Sequence, residues 1–551
     1  MTIKKNTKKN SKRILKRNTK KIRNIIRKRK CNSKKKVKIG GKKCGSVIIG
    51  KSHFSIEGKT ELYGFTYGEE DKKECAEIQI PKGITDIKYG AFADQSQITK
   101  AIIPDSVTRI GGKVFAGCKN LTSITIGKNL IYIGDKAFFN CKSLPSIIIP
   151  DSVIEIGKEV FSGCKSLTSI IIPDSVTEFG KEVFSGCKSL TSVTIGNSVT
   201  KIKENTFQEC DKLASVTIGN SVKIIERLSF RKCPVKSITI PDSVTDIGYG
   251  AFRDCEKLAN VTIGKNVTWF GEIAFLGCKS LESIAIPDKV TLIEANTFQA
   301  CEKLASVTIG NSVTRIYVGA FINCTSLKSI TIPDSVTFIG ESVFEGCTSL
   351  KSFIIGKSLK DISNYTFEGC SSLTNIDAAS LGSVTSIGKS AFKDCTSLES
   401  ITIPDTVTII MKNAFEGCTS LAKVTLPDSL KEIGSSAFKG CSSLTNITIP
   451  DKVNYIGEGA FMDCKSLAKV SISENCRRHD YCSTYHFDGQ SKEKCYDRDC
   501  WIKEIQKGFT PVGNGWGVPS FPKNTKLIKR STKEEKKKKE EKKKNDDEMQ
   551  F

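Results

Sequence analysis

The stretch that decides the fold is Cys324–Gly346, CTSLKSITIPDSVTFIGESVFEG. With small edits it recurs from about residue 76 to residue 473, and its consensus is C-x-S-L-x-S-I-T-I-P-D-S-V-T-x-I-G-x-x-A-F-x-G. Ser329-Ile330-Thr331-Ile332 alternates, so the two isoleucines face one side and the two hydroxyls the other. Pro333-Asp334-Ser335 ends that strand, because proline fixes φ and donates no amide while Asp and Ser favour turns. Val336 and Ile339 form a second apolar pair ending at Gly340, and a short segment then places Val343 and Phe344 inward. One coil thus sends Cys324, Leu327, Ile330, Ile332, Val336, Ile339 and Phe344 into one interior. No coil buries these alone, whereas stacked coils bury them against each other, so the chain reads as a solenoid.

Moving outward, 18 strand pairs run from Ile78/Ile80 to Val470/Ile472, and 17 phenylalanines occupy one column from Phe92 to Phe461. The spacing is 23 residues with two exceptions: Cys233 to Cys255 is 22, and Cys370 to Cys395 is 25. Parallel coils about 4.8 Å apart predict a rod about 80 Å long. The long coil predicts an edge loop near Ala378–Ser383, and the short one a local change of twist.

A chain of 551 residues would ordinarily hold three or four domains, but an array grows in one dimension. The expected division is a disordered basic arm at 1–46, an N-terminal cap at 47–75 and the solenoid at 76–473. A Cys/His-containing cap and extension follow at 474–522, then a Lys/Glu-rich tail at 523–551 with i,i+4 charge pairs. Alternating apolar residues around Val47–Ile49, Phe54/Ile56 and Leu62–Phe65 suit a cap that covers the first coil.

The net charge of +26 is localised. Residues 1–50 carry 21 Lys/Arg and no acid, whereas residues 51–522 carry 52 basic and 52 acidic residues. A polyanion partner therefore concerns the arm. Leu15, Ile22 and Ile26 share a helical face among its cations. That pattern fits an anionic membrane surface or a nucleic acid, and equally a solvated solubilising tail. No apolar run follows the charged N-terminus and no window is apolar enough to span a bilayer. The expectation is a cytoplasmic or nuclear chain.

Sixteen of the 23 cysteines occupy one column, from Cys118 to Cys464, once per coil. Parallel side chains keep successive Cβ atoms near the coil spacing, beyond the roughly 3.8 Å of a disulfide, so buried free thiols are expected. Beyond the last coil, Cys476, His479, Cys482, His486, Cys495 and Cys500 fall within 25 residues. Four of these six could hold zinc. The spacing C-x5-C-x12-C-x4-C is no recognisable zinc signature, and two disulfides or unpaired thiols in a cap fit as well. The chain has three histidines, none inside the repeats, and no catalytic triad or phosphate-cradling loop, so no enzymatic activity is expected.

The outward strand positions form the expected binding face: Ser192/Thr194, Ser215/Thr217, Ser237/Thr239, Ser329/Thr331 and Ser400/Thr402, interrupted elsewhere by Ile148, Ile171 and Ile354. Such a ladder suits a protein partner, an extended hydroxyl-rich ligand or ice, and Thr is also simply a good solvent-facing strand residue.

The pattern L-x-x-I-x-I-P…V-x-x-I-G-x-x-A-F-x-x-C, repeated over about 400 residues, resembles the BspA-like (Treponema-type) leucine-rich repeat. The resemblance implies an α/β-type but mostly β repeat solenoid, coiled right-handed, with a parallel sheet along one face. It also implies a non-enzymatic scaffold for protein–protein interaction or adhesion, of the kind described on cell or virion surfaces. Its competitor is a polyanion-directed protein in which the arm binds and the solenoid is a spacer.

Overall fold

The computed structural model describes residues 60–62, 77–376, 379, 381–473 and 525–530. The arm 1–46 and the segment 474–522, with its zinc and disulfide alternatives, lie outside the described residues. Among the described residues there are strands and turns and no helix. The architecture is a parallel β-solenoid of about 17 coils.

Each coil contributes to two ladders. The first is the expected one. Ser192–Ile195 pairs in parallel with Ser169–Ile172 on one side and Ser215–Thr217 on the other, with Val193 beside Ile170 and Val216. The second ladder, unexpected from the sequence, is made of two-residue strands such as Leu292–Ile293, Arg315–Ile316 and Phe338–Ile339. They sit before the consensus Gly, where the apolar pair three apart conceals a strand too short to alternate visibly. The third side is built of turns that also bond between coils. Lys136, Phe138 and Asn140 donate their amides to the carbonyls of Lys158, Val160 and Ser162 at 2.7–2.9 Å. Glu159 (φ 54°) and Gly163 (φ 73°) take left-handed conformations in that segment. Such residues every four positions prevent a helix, which is why this side is turns.

The interior is a set of single-residue columns. Phe92 to Phe461 stack with ring centroids 5.1–5.6 Å apart and planes within 19°. The rings are fully buried. Burying one such ring contributes about 1.5–3 kcal/mol, and stacking adds about 0.5–1.5 kcal/mol, so this column dominates the core.

Both irregular coils are absorbed without breaking the columns. In the short coil Val235 stands where other coils have Leu, and it is buried. In the long coil Leu381 turns into the core instead of joining an exposed loop, while Gly382 (φ 61°) lies against the Ile355 carbonyl. The first ladder divides into seven hydrogen-bonded sheets among the described residues, and one of its breaks has a clear cause. Residues 146–149 form no strand. Pro145 precedes them at a position where Thr122 and Thr168 each donate an amide to the preceding coil. Proline has no amide, so that bond is missing.

Both ends are covered by strands. Thr60–Leu62, inside the expected N-terminal cap, pairs with Ile84–Ile87 and extends the second ladder by one coil. At the other end Lys526–Arg530, in the segment whose composition reads as a tail, pairs in parallel with Lys469–Ser473 over five residues.

Candidate binding surface

The sheet places all ten of the expected Ser and Thr residues on the outward side of the first ladder. Ser192 and Ser400 are half-buried and the other eight are exposed. Parallel register lines them up: Ser192 beside Ser215, Thr194 beside Thr217, Thr331 beside Ile354, Thr402 beside Thr425. Ser400 is committed, donating to Asn375 Oδ1 at 2.9 Å. A different Thr column is structural: Thr191 Oγ1 donates to the Thr168 carbonyl at 2.9 Å, and Thr122 and Thr168 do the same one coil back. The hydroxyl ladder that binds the coils together is thus distinct from the one that faces solvent.

Ile148 and Ile171 stand out on this side at 82% and 67% exposed. Beside Ile171 the surface dips into a depression of about 510 Å³, lined by Pro173, Asp174, Thr194 and Asn220 among others. It arises because Pro173-Asp174 gives way to Gly196-Asn197 and Gly219-Asn220 in the next coils. Glycine is required there, since a Cβ on Gly196 would lie 2.4 Å from the Pro173 carbonyl oxygen. The turn acids bond across coils. Asp174 Oδ1 accepts the Asn197 amide at 2.8 Å, and Asp242 Oδ1 accepts the Lys265 amide at 3.0 Å. That bond and the Lys265 side chain hold the Asp242 carboxyl below its usual range.

Sequence reasoning missed the outward column of the second ladder. It carries the aromatic and arginine side chains that the Ser/Thr face lacks. The Arg109 guanidinium lies 4.1 Å from the centre of the Tyr132 ring. Trp269, Leu292, Arg315 and Phe338 occupy this column in four successive coils. The signal was present in the variable residue of each T-x-I-G motif, which becomes legible once that motif is known to be a strand.

The cysteine column forms no reactive site. All sixteen thiols are free and buried. Each donates to the carbonyl of a Phe in the preceding coil, as Cys164 does to Phe138 at 3.1 Å. Burial pushes the Cys164 thiol up to about 12.

The model of the BspA type leucine rich repeat region matches six times, together spanning residues 70–495. Among solved structures, a leucine-rich repeat protein from Bacteroides ovatus is 27% identical over 78% of this chain and 95% of its own, with a TM-score of 0.47. A leucine rich cell surface protein from Faecalibacterium prausnitzii is 25% identical over 67% of this chain and 90% of its own, with a TM-score of 0.32. No curated protein matches significantly. The repeated match over most of the sequence decides the family: this chain belongs to the BspA type leucine rich repeat proteins.

Proposed function

We propose that the protein is a non-enzymatic scaffold that binds a protein partner along the outward side of the first ladder, in the manner of an adhesion or interaction module. The observation that carries this reading is the exposed double rank of Ser192/Thr194, Ser215/Thr217, Ser237/Thr239 and Ser329/Thr331. These hydroxyls have no side-chain partner among the described residues, while a separate Thr column already serves the fold. Solenoids characteristically recognise partners over such extended surfaces. The repeat architecture supplies rigidity, so little conformational entropy is lost on binding. Among the described residues no helix is long and apolar enough to cross a membrane.

The test replaces Thr194, Thr217 and Thr239 together by lysine. All three are exposed, so the fold should survive, which a thermal melt verifies. Partners cross-linked to the full-length wild-type chain are expected to be lost with this variant. Recovery of the same partners in the same yield would remove the face from the proposal.

A further inference from the structure

We infer that the second ladder carries a distinct docking site, in coils 269–338, for an extended acidic–apolar peptide segment of a partner protein. Trp269, Leu292, Arg315 and Phe338 follow one another on the outward side of four successive coils, a span of about 14 Å at the usual strand spacing. Trp269 and Phe338 are each 38% exposed. Tyr317 extends the patch sideways, its ring 6.1 Å from that of Phe338. A contiguous exposed aromatic surface around an arginine is the composition found at the energetic centre of protein interfaces.

The charges specify the occupant. The Arg315 guanidinium stacks over Phe338 at 5.2 Å and makes no ion pair or hydrogen bond among the described residues. Its donors are therefore free and already oriented by the ring beneath them. Two coils before Trp269, Arg227 repeats the arrangement, 5.1 Å from the centre of the Tyr249 ring and likewise without a carboxylate partner. The nearby acids are mostly committed. Glu294 accepts the Trp269 indole N–H at 3.3 Å, and Glu341 accepts from Asn364 at 2.9 Å. Glu272, exposed on the coil of Trp269, is the open exception. Two uncommitted guanidinium groups flanking an apolar strip call for carboxylates flanking apolar side chains. Guanidinium binds carboxylate in bidentate fashion, and an aromatic floor strengthens that bond by excluding water.

The experiment pans a random peptide-display library on the full-length protein and measures enriched peptides by fluorescence anisotropy. Enriched sequences are expected to hold Asp or Glu beside Leu, Ile or an aromatic residue and to bind more weakly at high salt. Arg315→Gln and Trp269→Ser should each weaken them about tenfold or more. Arg315→Lys should recover little, because it keeps the charge but not the bidentate geometry. Lys113→Gln, which removes a cation from the Tyr89 ring several coils away, should have no effect. The inference is overturned if no peptide is enriched, if the enriched set has no acidic excess, or if Arg315→Gln binds it equally well. It is also overturned if sedimentation shows a dimer that Trp269→Ser abolishes, since the patch then serves a second copy. Failure here leaves the Ser/Thr face untouched, because the triple-lysine variant reads that face separately.

Discussion

The thiol of Cys347 donates to the carbonyl oxygen of Phe321, 3.3 Å away and 26 residues earlier. That oxygen already accepts the Cys324 amide at 3.2 Å within its own coil. The relationship repeats at every cysteine of the column and explains why the position is cysteine: a small apolar side chain that can still offer a weak donor.

Burial pushes the Cys347 thiol up to about 12, and that of Cys255 likewise. A raised pKa means the folded state holds the proton more tightly than the unfolded chain. The associated stability is complete below the ordinary thiol value of about 8.5–9 and is lost as pH rises from there toward 12. Each such thiol steepens the loss by about 1.4 kcal/mol per pH unit in that window. Urea midpoints measured from pH 8 upward should therefore fall, and should fall less steeply once Cys255 and Cys347 are replaced by alanine. A flat profile would contradict the burial of this column. At neutral pH the sixteen thiols should resist alkylation until the protein unfolds.

Phe298 touches Phe275 and Phe321 at centroid distances of 5.4 and 5.3 Å, and Phe270 meets it edge-on at 6.3 Å. Phe298→Ala should cost about 3–5 kcal/mol. In a one-dimensional array that loss falls on neighbouring coils instead of being shared by a global core. The expected outcome is a split denaturation curve, with hydrogen exchange accelerated in the middle coils before either end. A single sharp transition would show that cooperativity spans the whole rod.

How much was legible in the sequence follows from residues such as these. Phe298, Cys347 and Ile330 repeat in sequence because they repeat in space, so the columns, the first ladder and the family resemblance could be read directly. Arg315 and Trp269 could not. They occupy the variable position of a two-residue strand, and period-two alternation needs more than two residues to show itself. The ends were obscure for another reason. Lys526–Arg530 is separated from its partner Lys469–Ser473 by dozens of residues, and nothing local in KLIKR distinguishes a closing strand from a charged tail. Leu381 was misplaced as loop because the two extra residues of its coil hide which side chain replaces the missing inward isoleucine.

Ala300 offers a test of backbone geometry. The residue before each column cysteine takes a positive φ, which glycine supplies at Gly277 (72°) and Gly346 (72°). Ala300 adopts the same conformation at 57° with a Cβ. An L-residue there costs about 1–2 kcal/mol, and glycine gives back part of that as unfolded-chain entropy. Ala300→Gly should raise stability by about 0.5–1 kcal/mol, measured as a higher denaturant midpoint at unchanged slope. The reverse change, Gly277→Ala, should lower stability by more, because its Cβ would also lie 2.8 Å from Asp254 Oδ1.

The last coil gives the final prediction. Lys469–Ser473 presents one edge to Asn446–Thr448 and the other to Lys526–Arg530, which pairs with it residue for residue. Thr525 anchors the incoming chain by donating to the Leu467 carbonyl at 2.7 Å. An uncovered strand at the end of a solenoid is a template for another chain. Truncation after residue 524 removes that covering strand. The truncated chain should keep the melting behaviour of its central coils, because the lost contacts are confined to one end. It should also form concentration-dependent oligomers by light scattering, and a lysine substituted for Val470 or Ile472 should not be needed to prevent them in the full-length chain. A truncated protein that stays monomeric at high concentration would mean that the end is protected by something other than this strand.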